Sequence, residues 1–159
     1  AMTVKTVLRP ATAADAEAIA KIFLSSRRAH IAYAPLAHTD EEVRAWVSDV
    51  LVPSGGVTLA EQAAAVVGFA VLSVDDDSTS LNQMYVAPDQ VGRGIGSALL
   101  RRVMANARLP MRLYTFAANA RARSFYERFG FIAVAFSAGA DNEERCPDVL
   151  YELTKDQLP

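Results

Sequence analysis

The chain has 159 residues, 52% of which are hydrophobic, and a formal net charge of -2. This length suits a single domain over residues 1–159 with a proper core, and it leaves no room for a second domain. Because the charge is slightly negative and no block of basic residues stands out, a nucleic-acid partner is not expected.

Cysteine usage and hydropathy predict the compartment. Cys146 is the one cysteine, which excludes an intrachain disulfide and fits a reducing compartment. The apolar runs are too short to cross a bilayer and no signal peptide is recognised, so we expect a cytoplasmic protein with no membrane partner. Ala1 before Met2 indicates a residue left by cloning, with Met2 as the native start.

The first predicted elements are a strand at residues 4–9, which Pro10 ends, and a helix. Thr12 is the predicted N-cap of this helix, with Asp15 as the acid of a capping box. The positions that follow helical spacing are Ile19, Ile22, Phe23 and Ser26.

Residues 27–38 show no clear period. They combine Arg27, Arg28, His30, Tyr33 and His38, a composition more typical of a binding loop than of a core element. An ordinary surface loop explains each of these residues equally well.

A second helix is predicted to begin after Thr39, because Glu42 completes a capping box. Pro53 ends it. The predicted buried stripe is Val43, Trp46, Val47 and Val50.

A hairpin is predicted next, with strands at residues 56–60 and 64–74 and a polar turn at Glu61 and Gln62. Asp75, Asp76 and Asp77 follow as an acidic turn. These three carboxylates are consecutive and lack the alternating spacing and distal glutamate of a calcium loop, so no metal is expected.

The central stretch, residues 81–100, reads as a strand, a glycine loop and an amphipathic helix. Gly92, Gly94 and Gly96 place bare amides at the helix N-terminus, where the helix dipole favours a phosphate or pyrophosphate, and Arg93 adds a positive charge. The dinucleotide pattern G-x-G-x-x-G and the Gly-Lys-Ser/Thr ending of a P-loop are both missing. A glycine-rich helix start without a ligand fits the three glycines alone equally well.

The remaining elements complete an α/β chain with a mixed sheet. Residues 111–116, 131–136 and 149–153 are predicted strands, and residues 137–148 form a polar link long enough to make a lip over a site. Residues 119–129 are a predicted helix, with Gly130 as its C-terminal cap and an apolar face of Ala122, Phe125, Tyr126 and Phe129. Strands joined by a crossover helix should be parallel, and directly linked strands antiparallel.

Two segments together resemble the GNAT superfamily of acyl-CoA-dependent N-acetyltransferases. Residues 91–96 occupy its Q/R-x-x-G-x-G/A loop, with the departure that Val91 stands at the Gln/Arg position and Gln90 one place earlier. The later N-x-x-A-x-x-F-Y-E-x-x-G-F segment is matched by Asn119, Ala122, Phe125, Tyr126, Glu127, Gly130 and Phe131. The implied fold is a GNAT-like mixed, mostly antiparallel, splayed sheet of six to seven strands with about four helices.

The resemblance implies a ternary-complex enzyme that passes an acetyl group from acetyl-CoA directly to an amine, without a metal. The loop amides would bind the pyrophosphate, and the edge of residues 84–86 would bind the pantetheine arm. Asn119 would bond this arm and Tyr126 would protonate the departing thiolate, although a helix N-cap and a core aromatic are the plain alternatives. The implied cofactor-binding residues are Met84, Tyr85, Val86, Val91, Gly92, Arg93, Gly94, Ile95, Gly96, Ser97, Asn119, Phe125 and Tyr126.

The acceptor is expected to be the primary amine of a small polar molecule. A protein N-terminal or lysine acetyltransferase and a non-catalytic acyl-CoA-binding module are the alternatives, and a homodimer is possible. The central strand offers Asn82 and Gln83, neither of them basic, so the general base is expected elsewhere in the chain or is solvent. His38 is the first candidate, with Glu143 and Glu144 as further catalytic or substrate-binding candidates; an exposed loop position is the alternative for each.

Overall fold

A computed structural model gives the structure of residues 5–158. Within these residues there are seven strands and four α-helices. The strands are β1 (Thr6–Pro10), β2 (Val57–Gln62), β3 (Ala65–Val74), β4 (Thr79–Val86), β5 (Met111–Phe116), β6 (Ile132–Ser137) and β7 (Asp148–Leu153). The helices are α1 (Ala16–His30), α2 (Asp40–Trp46), α3 (Ile95–Asn106) and α4 (Ala120–Arg128). Ala1 and Val4, which the sequence assigned to a cloning residue and to the first strand, lie outside the described residues.

The strands form a mixed, mostly antiparallel sheet. Their order is β1-β2-β3-β4-β5-β7-β6. The pairs β1/β2, β2/β3, β5/β7 and β6/β7 are antiparallel. β4 and β5, which flank the crossover helix α3, are parallel. The predicted fold class and strand directions are therefore confirmed.

The chain forms two compact units. The first unit comprises Ala1–Ala32, His38–Leu72 and Gln83–Asn106, and the second comprises Tyr33–Ala37, Ser73–Asn82 and Ala107–Pro159. Large, fully buried side chains of the first unit are Ile19, Val47, Leu59, Phe69, Ile95, Leu99, Leu100 and Val103. Those of the second unit are Met111, Phe131, Tyr151 and Leu153.

The predicted N-cap Thr12 precedes a 3₁₀ turn at Ala13–Asp15 that leads into α1 at Ala16, and α1 ends later than predicted. The Asp15 carboxylate accepts a hydrogen bond of 2.7 Å from the backbone N–H of Thr12, and the Arg9 guanidinium at 2.8 Å holds the pKa of that carboxyl well below its usual range. The helix then runs to His30, so Arg27, Arg28 and His30 are helical rather than part of a loop.

Arg27 explains why the helical period was missed in this segment. Its residue is only 7% exposed, and its guanidinium lies 5.7 Å from the centre of the Phe23 ring. An arginine can bury its aliphatic stem while its charge stacks on an aromatic face. A buried position occupied by a charged residue therefore gives no apolar signal in the sequence.

Helix α2 has the predicted start and a different buried face. Thr39 and Glu42 exchange the two hydrogen bonds of a capping box, at 3.1 and 2.9 Å. The prediction that Val50 is buried is wrong, because Val50 is 58% exposed and Leu51 is buried instead. Val47–Leu51 form one turn of π-helix, whose wider turn shifts the buried position by one residue.

The turn of the β2–β3 hairpin lies two residues later than predicted. Glu61 and Gln62 belong to β2, and Ala63 and Ala64 form the turn with φ of 50° and 64°. Two-residue hairpin turns require left-handed residues, and sequences usually supply glycine or asparagine there. Two alanines carry no such signal, so the sequence pattern favours the polar pair before them as the turn.

Candidate active site

The glycine loop has the geometry of an anion site. Gly92 and Gly94 have φ of +87° and +83°, and a Cβ added at either would meet no atom within 4 Å. The first α-helical bond of α3 runs from the N–H of Ala98 to the carbonyl of Gly94, at 3.0 Å. The N–H groups of residues 95–97 therefore have no partner within the helix, and they lie beside an uncovered loop.

Close packing fixes the N-terminal turn of α3 against the sheet. Ile95 and Leu99 are buried, and a Cβ added to Gly68 on β3 would lie 3.1 Å from Leu99 Cδ1 and from the carbonyl oxygen of Tyr85. A side chain at position 68 would push the helix or β4 away. Gly68 was missed in the sequence, because one glycine within a strand has no motif around it.

The backbone groups at the end of β4 point alternately toward β3 and away from it. The N–H of Ala87 donates to the carbonyl of Val67 on β3, at 2.8 Å. Since successive residues of a strand point their backbone groups to opposite sides, Val86 and Met84 face away from β3. The ladder with β5 includes Thr79, Ser80 and Leu81 of β4.

A buried serine already uses one of the backbone groups on this edge. Ser26 of α1 is 3% exposed, and its hydroxyl donates to the carbonyl of Val86 at 2.9 Å. The neighbouring Tyr85 ring is held between Phe23, at 5.2 Å, and Phe69, at 5.8 Å. The strand is therefore fixed at its end.

Helix α4 presents the second sequence segment. The Asn119 side-chain oxygen accepts from the N–H of Ala122 at 3.1 Å, so Asn119 is a helix N-cap, and its amide nitrogen is the group that can donate to a ligand. At the other end, Gly130 and Phe131 donate to the carbonyls of Glu127 and Tyr126, at 3.1 and 3.2 Å. These two bonds form the Schellman motif expected of Gly130.

Tyr126 lies against the second unit's core. It is 8% exposed, and its ring contacts Phe125 at 5.3 Å and Phe131 at 5.7 Å between centroids. Phe125 and Phe129 are only half-buried, so the predicted apolar face is partly exposed.

A tyrosine that the sequence did not single out lies next to it. Tyr151 on β7 is fully buried, and its ring centroid is 6.5 Å from that of Tyr126. Its hydroxyl donates to Glu127 at 2.5 Å and accepts from Arg123 at 3.0 Å. These three residues join α4 to β7.

The family model for the acetyltransferase (GNAT) domain matches residues 53–133, which contain both the glycine loop and α4. The chain belongs to the GNAT family. It is an acyltransferase that depends on acetyl-CoA. A comparison with curated proteins gives no match.

Solved structures share the GNAT fold at low sequence identity. Ard1 from Thermoplasma volcanium has a TM-score of 0.77 at 19% identity, over 95% of this chain and 98% of that chain. PaiA N-acetyltransferase from Thermoplasma acidophilum, in complex with coenzyme A, has a TM-score of 0.74 at 19% identity, over 94% and 99%. The ribosomal-protein-S18-alanine N-acetyltransferase from Escherichia coli has a TM-score of 0.70 at 19% identity, over 94% of each chain.

The candidate acceptor residues of this GNAT protein lie on two separate segments. His38 precedes α2 in the first unit, where Nδ1 lies 3.9 Å from a carboxylate oxygen of Glu42. The exposed Glu143 and half-buried Glu144 lie in the link before β7, in the second unit. That these residues face one acceptor pocket stays a prediction.

Hydrogen bonds between residues of the link hold the segment that carries the two glutamates. The Asn142 side chain accepts from the N–H of Cys146 at 3.1 Å and donates to its carbonyl at 2.6 Å. Cys146 Sγ lies 3.7 Å from the carbonyl oxygen of Tyr33. The structure thus brings the link next to Tyr33, which the sequence placed in a binding loop.

The three consecutive aspartates of this GNAT protein form a turn. Asp75 Oδ1 accepts from the N–H groups of Asp77 and Ser78, at 3.0 and 2.7 Å, which lowers the pKa of Asp75. Among residues 5–158, no group of three or more His, Cys, Asp or Glu is placed to hold a metal ion.

A search of the same residues for membrane spans finds no helix that is long and apolar enough to cross a membrane.

Proposed function

We propose that this GNAT enzyme transfers the acetyl group of acetyl-CoA directly to the primary amine of a small polar acceptor. The observation that carries this proposal is the loop at the start of α3. Two left-handed glycines there leave the space above the helix N-terminus uncovered, which suits a pyrophosphate group.

The residues around the loop fit the rest of the cofactor. The N–H groups of residues 91–97 would bind the pyrophosphate, with the charge of Arg93 beside them. The edge at Met84 and Val86 would bond the amides of the pantetheine arm, and Ser26, which bonds the carbonyl of Val86, would hold this edge in place. Asn119 would donate its side-chain amide to the same arm.

Acetyl-CoA supplies an acetyl group activated as a thioester. A backbone N–H of β4 polarises its carbonyl, and Tyr126 donates a proton to the thiolate that leaves. A phenol suits this role because it remains protonated at neutral pH. The acceptor amine must lose a proton before it attacks, since an ammonium group has no lone pair.

A small acceptor is favoured by the loop composition around Tyr33 and His38, while Glu143 and Glu144 supply charges suited to a cationic amine. A protein acceptor is the second candidate.

A non-catalytic acyl-CoA-binding module is disfavoured because Tyr126 is present. The single cysteine supports a cytoplasmic location, and a homodimer stays a prediction.

An acetylation screen tests the proposal. The purified protein is given acetyl-CoA with small polar amines, with peptides bearing a free N-terminus and with lysine peptides blocked at theirs, and released thiol is measured. We expect turnover with the small amines. Turnover confined to one peptide class would show that the acceptor is a protein and not a small molecule. Absence of turnover with every class would contradict the acetyltransferase activity itself.

We further expect His38→Ala to change the pH–rate profile, because a general base must be neutral to accept the amine's proton. His30→Ala is the matched control, since His30 is the other of two histidines and is exposed at the end of α1. Replacing Glu143 and Glu144 by glutamine should raise KM for a cationic acceptor. An unchanged profile in His38→Ala, together with full activity of the double glutamine variant, would rule out this acceptor site.

A further inference from the structure

Helix α4 depends on few apolar contacts. It has nine residues, and Tyr126 is the buried one among them. A helix of this length is marginal by itself, so its position on the sheet is set by tertiary contacts. The contacts of α4 with β7 therefore contribute to the position of the Tyr126 ring, beside its packing on Phe131.

Tyr151 is well placed to set that position. It belongs to the middle strand of three, where it pairs with Leu113 on β5 and with Ala133 on β6. Because both neighbouring strands hold its backbone and its side chain is fully buried, its hydroxyl has a fixed location.

From that location the hydroxyl bonds two residues of α4 that flank Tyr126 in space. It donates to Glu127, the next residue, and accepts from Arg123, which lies three residues earlier and hence on the same face. Arg123 also donates to the carbonyl of Ala117 at 3.4 Å and lies 5.6 Å from the centre of the Phe136 ring. Rotation or sliding of α4 would break these bonds together.

The direction of the bond to Glu127 is supported by electrostatics. Burial, followed by the hydrogen bond to Glu127, raises the pKa of Tyr151. The phenol therefore stays protonated and remains the donor, while the carboxylate of Glu127 and the guanidinium of Arg123 have opposite charges on either side of it.

We infer that Tyr151 is a positioning residue for the acetyl transfer, which acts through Glu127 and Arg123 to hold the Tyr126 hydroxyl in place. The inference rests on the proposed role of Tyr126 as proton donor. It concerns residues outside the glycine loop and assigns a function to a buried tyrosine that no motif includes.

The first test is Tyr151→Phe, which keeps the ring and removes both hydrogen bonds. Small displacements of a catalytic group cost one to two orders of magnitude, so we expect kcat to fall by about 10-fold to 100-fold with an unchanged KM for acetyl-CoA. Tyr114→Phe is the matched control, because Tyr114 lies on the adjacent strand β5 and is 69% exposed. An unchanged kcat in Tyr151→Phe overturns the inference.

A second test separates positioning from general destabilisation. In a Tyr126→Phe background there is no hydroxyl to position, so adding Tyr151→Phe should leave kcat unchanged. If Tyr151→Phe lowers kcat by the same factor in the original protein and in the Tyr126→Phe variant, Tyr151 is merely structural and the inference fails. If Tyr126→Phe alone has no effect, the proton-donor role itself is wrong.

Glu127→Gln keeps the inference testable if Tyr151→Phe does not fold. It should lower kcat in the same way, since a neutral amide holds Tyr151 and Arg123 less strongly. Its matched control is Glu152→Gln, the same change on β7, where the side chain pairs with Arg112 at 2.8 Å instead of with α4. Equal kcat values for the two glutamine variants would overturn the inference.

Discussion

We expect replacement of Tyr126 by phenylalanine to lower kcat by about 100-fold and to leave the affinity for acetyl-CoA nearly unchanged. The ring is 8% exposed and packs on Phe125 and Phe131, and phenylalanine preserves those contacts. Only the proposed proton donor for the leaving thiolate would be lost. Thiol release gives kcat, and calorimetric titration gives the dissociation constant.

Two results would contradict this role of Tyr126. Equal rates for the variant and the original protein would make Tyr126 a core aromatic only. A rate loss matched by a loss of cofactor affinity would indicate a binding role. Circular dichroism of both proteins checks that the fold is intact.

We expect Gly94→Ala to weaken acetyl-CoA binding by at least about 10-fold. The new Cβ meets no protein atom, so it occupies the space proposed for pyrophosphate oxygens, and its strain at φ +83° shifts the amides that would bind them. Loss of one hydrogen bond to a charged group costs about 1.5–3 kcal/mol, which corresponds to about a 10-fold to 100-fold change in affinity.

Gly55 provides a matched control for this experiment. It also lies in the first unit, has φ of +82°, and has no atom within 4 Å of an added Cβ. Gly55→Ala should therefore cause a similar loss of folding stability, about 1–2 kcal/mol, with full cofactor affinity. Equal affinities of the two variants for acetyl-CoA would contradict the proposal that this loop binds the pyrophosphate.

Local structural features that depend on a few adjacent residues could be predicted from the sequence. The capping boxes at Thr12 and Thr39, the Gly130 cap and the glycine loop depend on contacts within one turn of chain, and the structure has all of them. The sheet class followed from the order of the elements. The two motifs also led to the family.

Features that depend on distant contacts could not be predicted. Ser26 bonds Val86, 60 residues away, and Tyr151 bonds Glu127, 24 residues away. Their residue types are common in helices and strands, so nothing local marks them. The burial of Arg27 and the alanine turn at Ala63 and Ala64 show the same limit, because packing there overrides the usual residue preferences.

The strand order of the second unit sets a sequence of events during synthesis. β7 is made after β6 but lies between β5 and β6, so these two strands share no neighbour until β7 has left the ribosome. Until then each exposes an unpaired edge, which is a target for aggregation or for a chaperone. Tyr151 is made with β7, so the partner of α4 is also among the last groups to be made. The bonds that would hold the proposed proton donor in place therefore cannot form before this strand inserts.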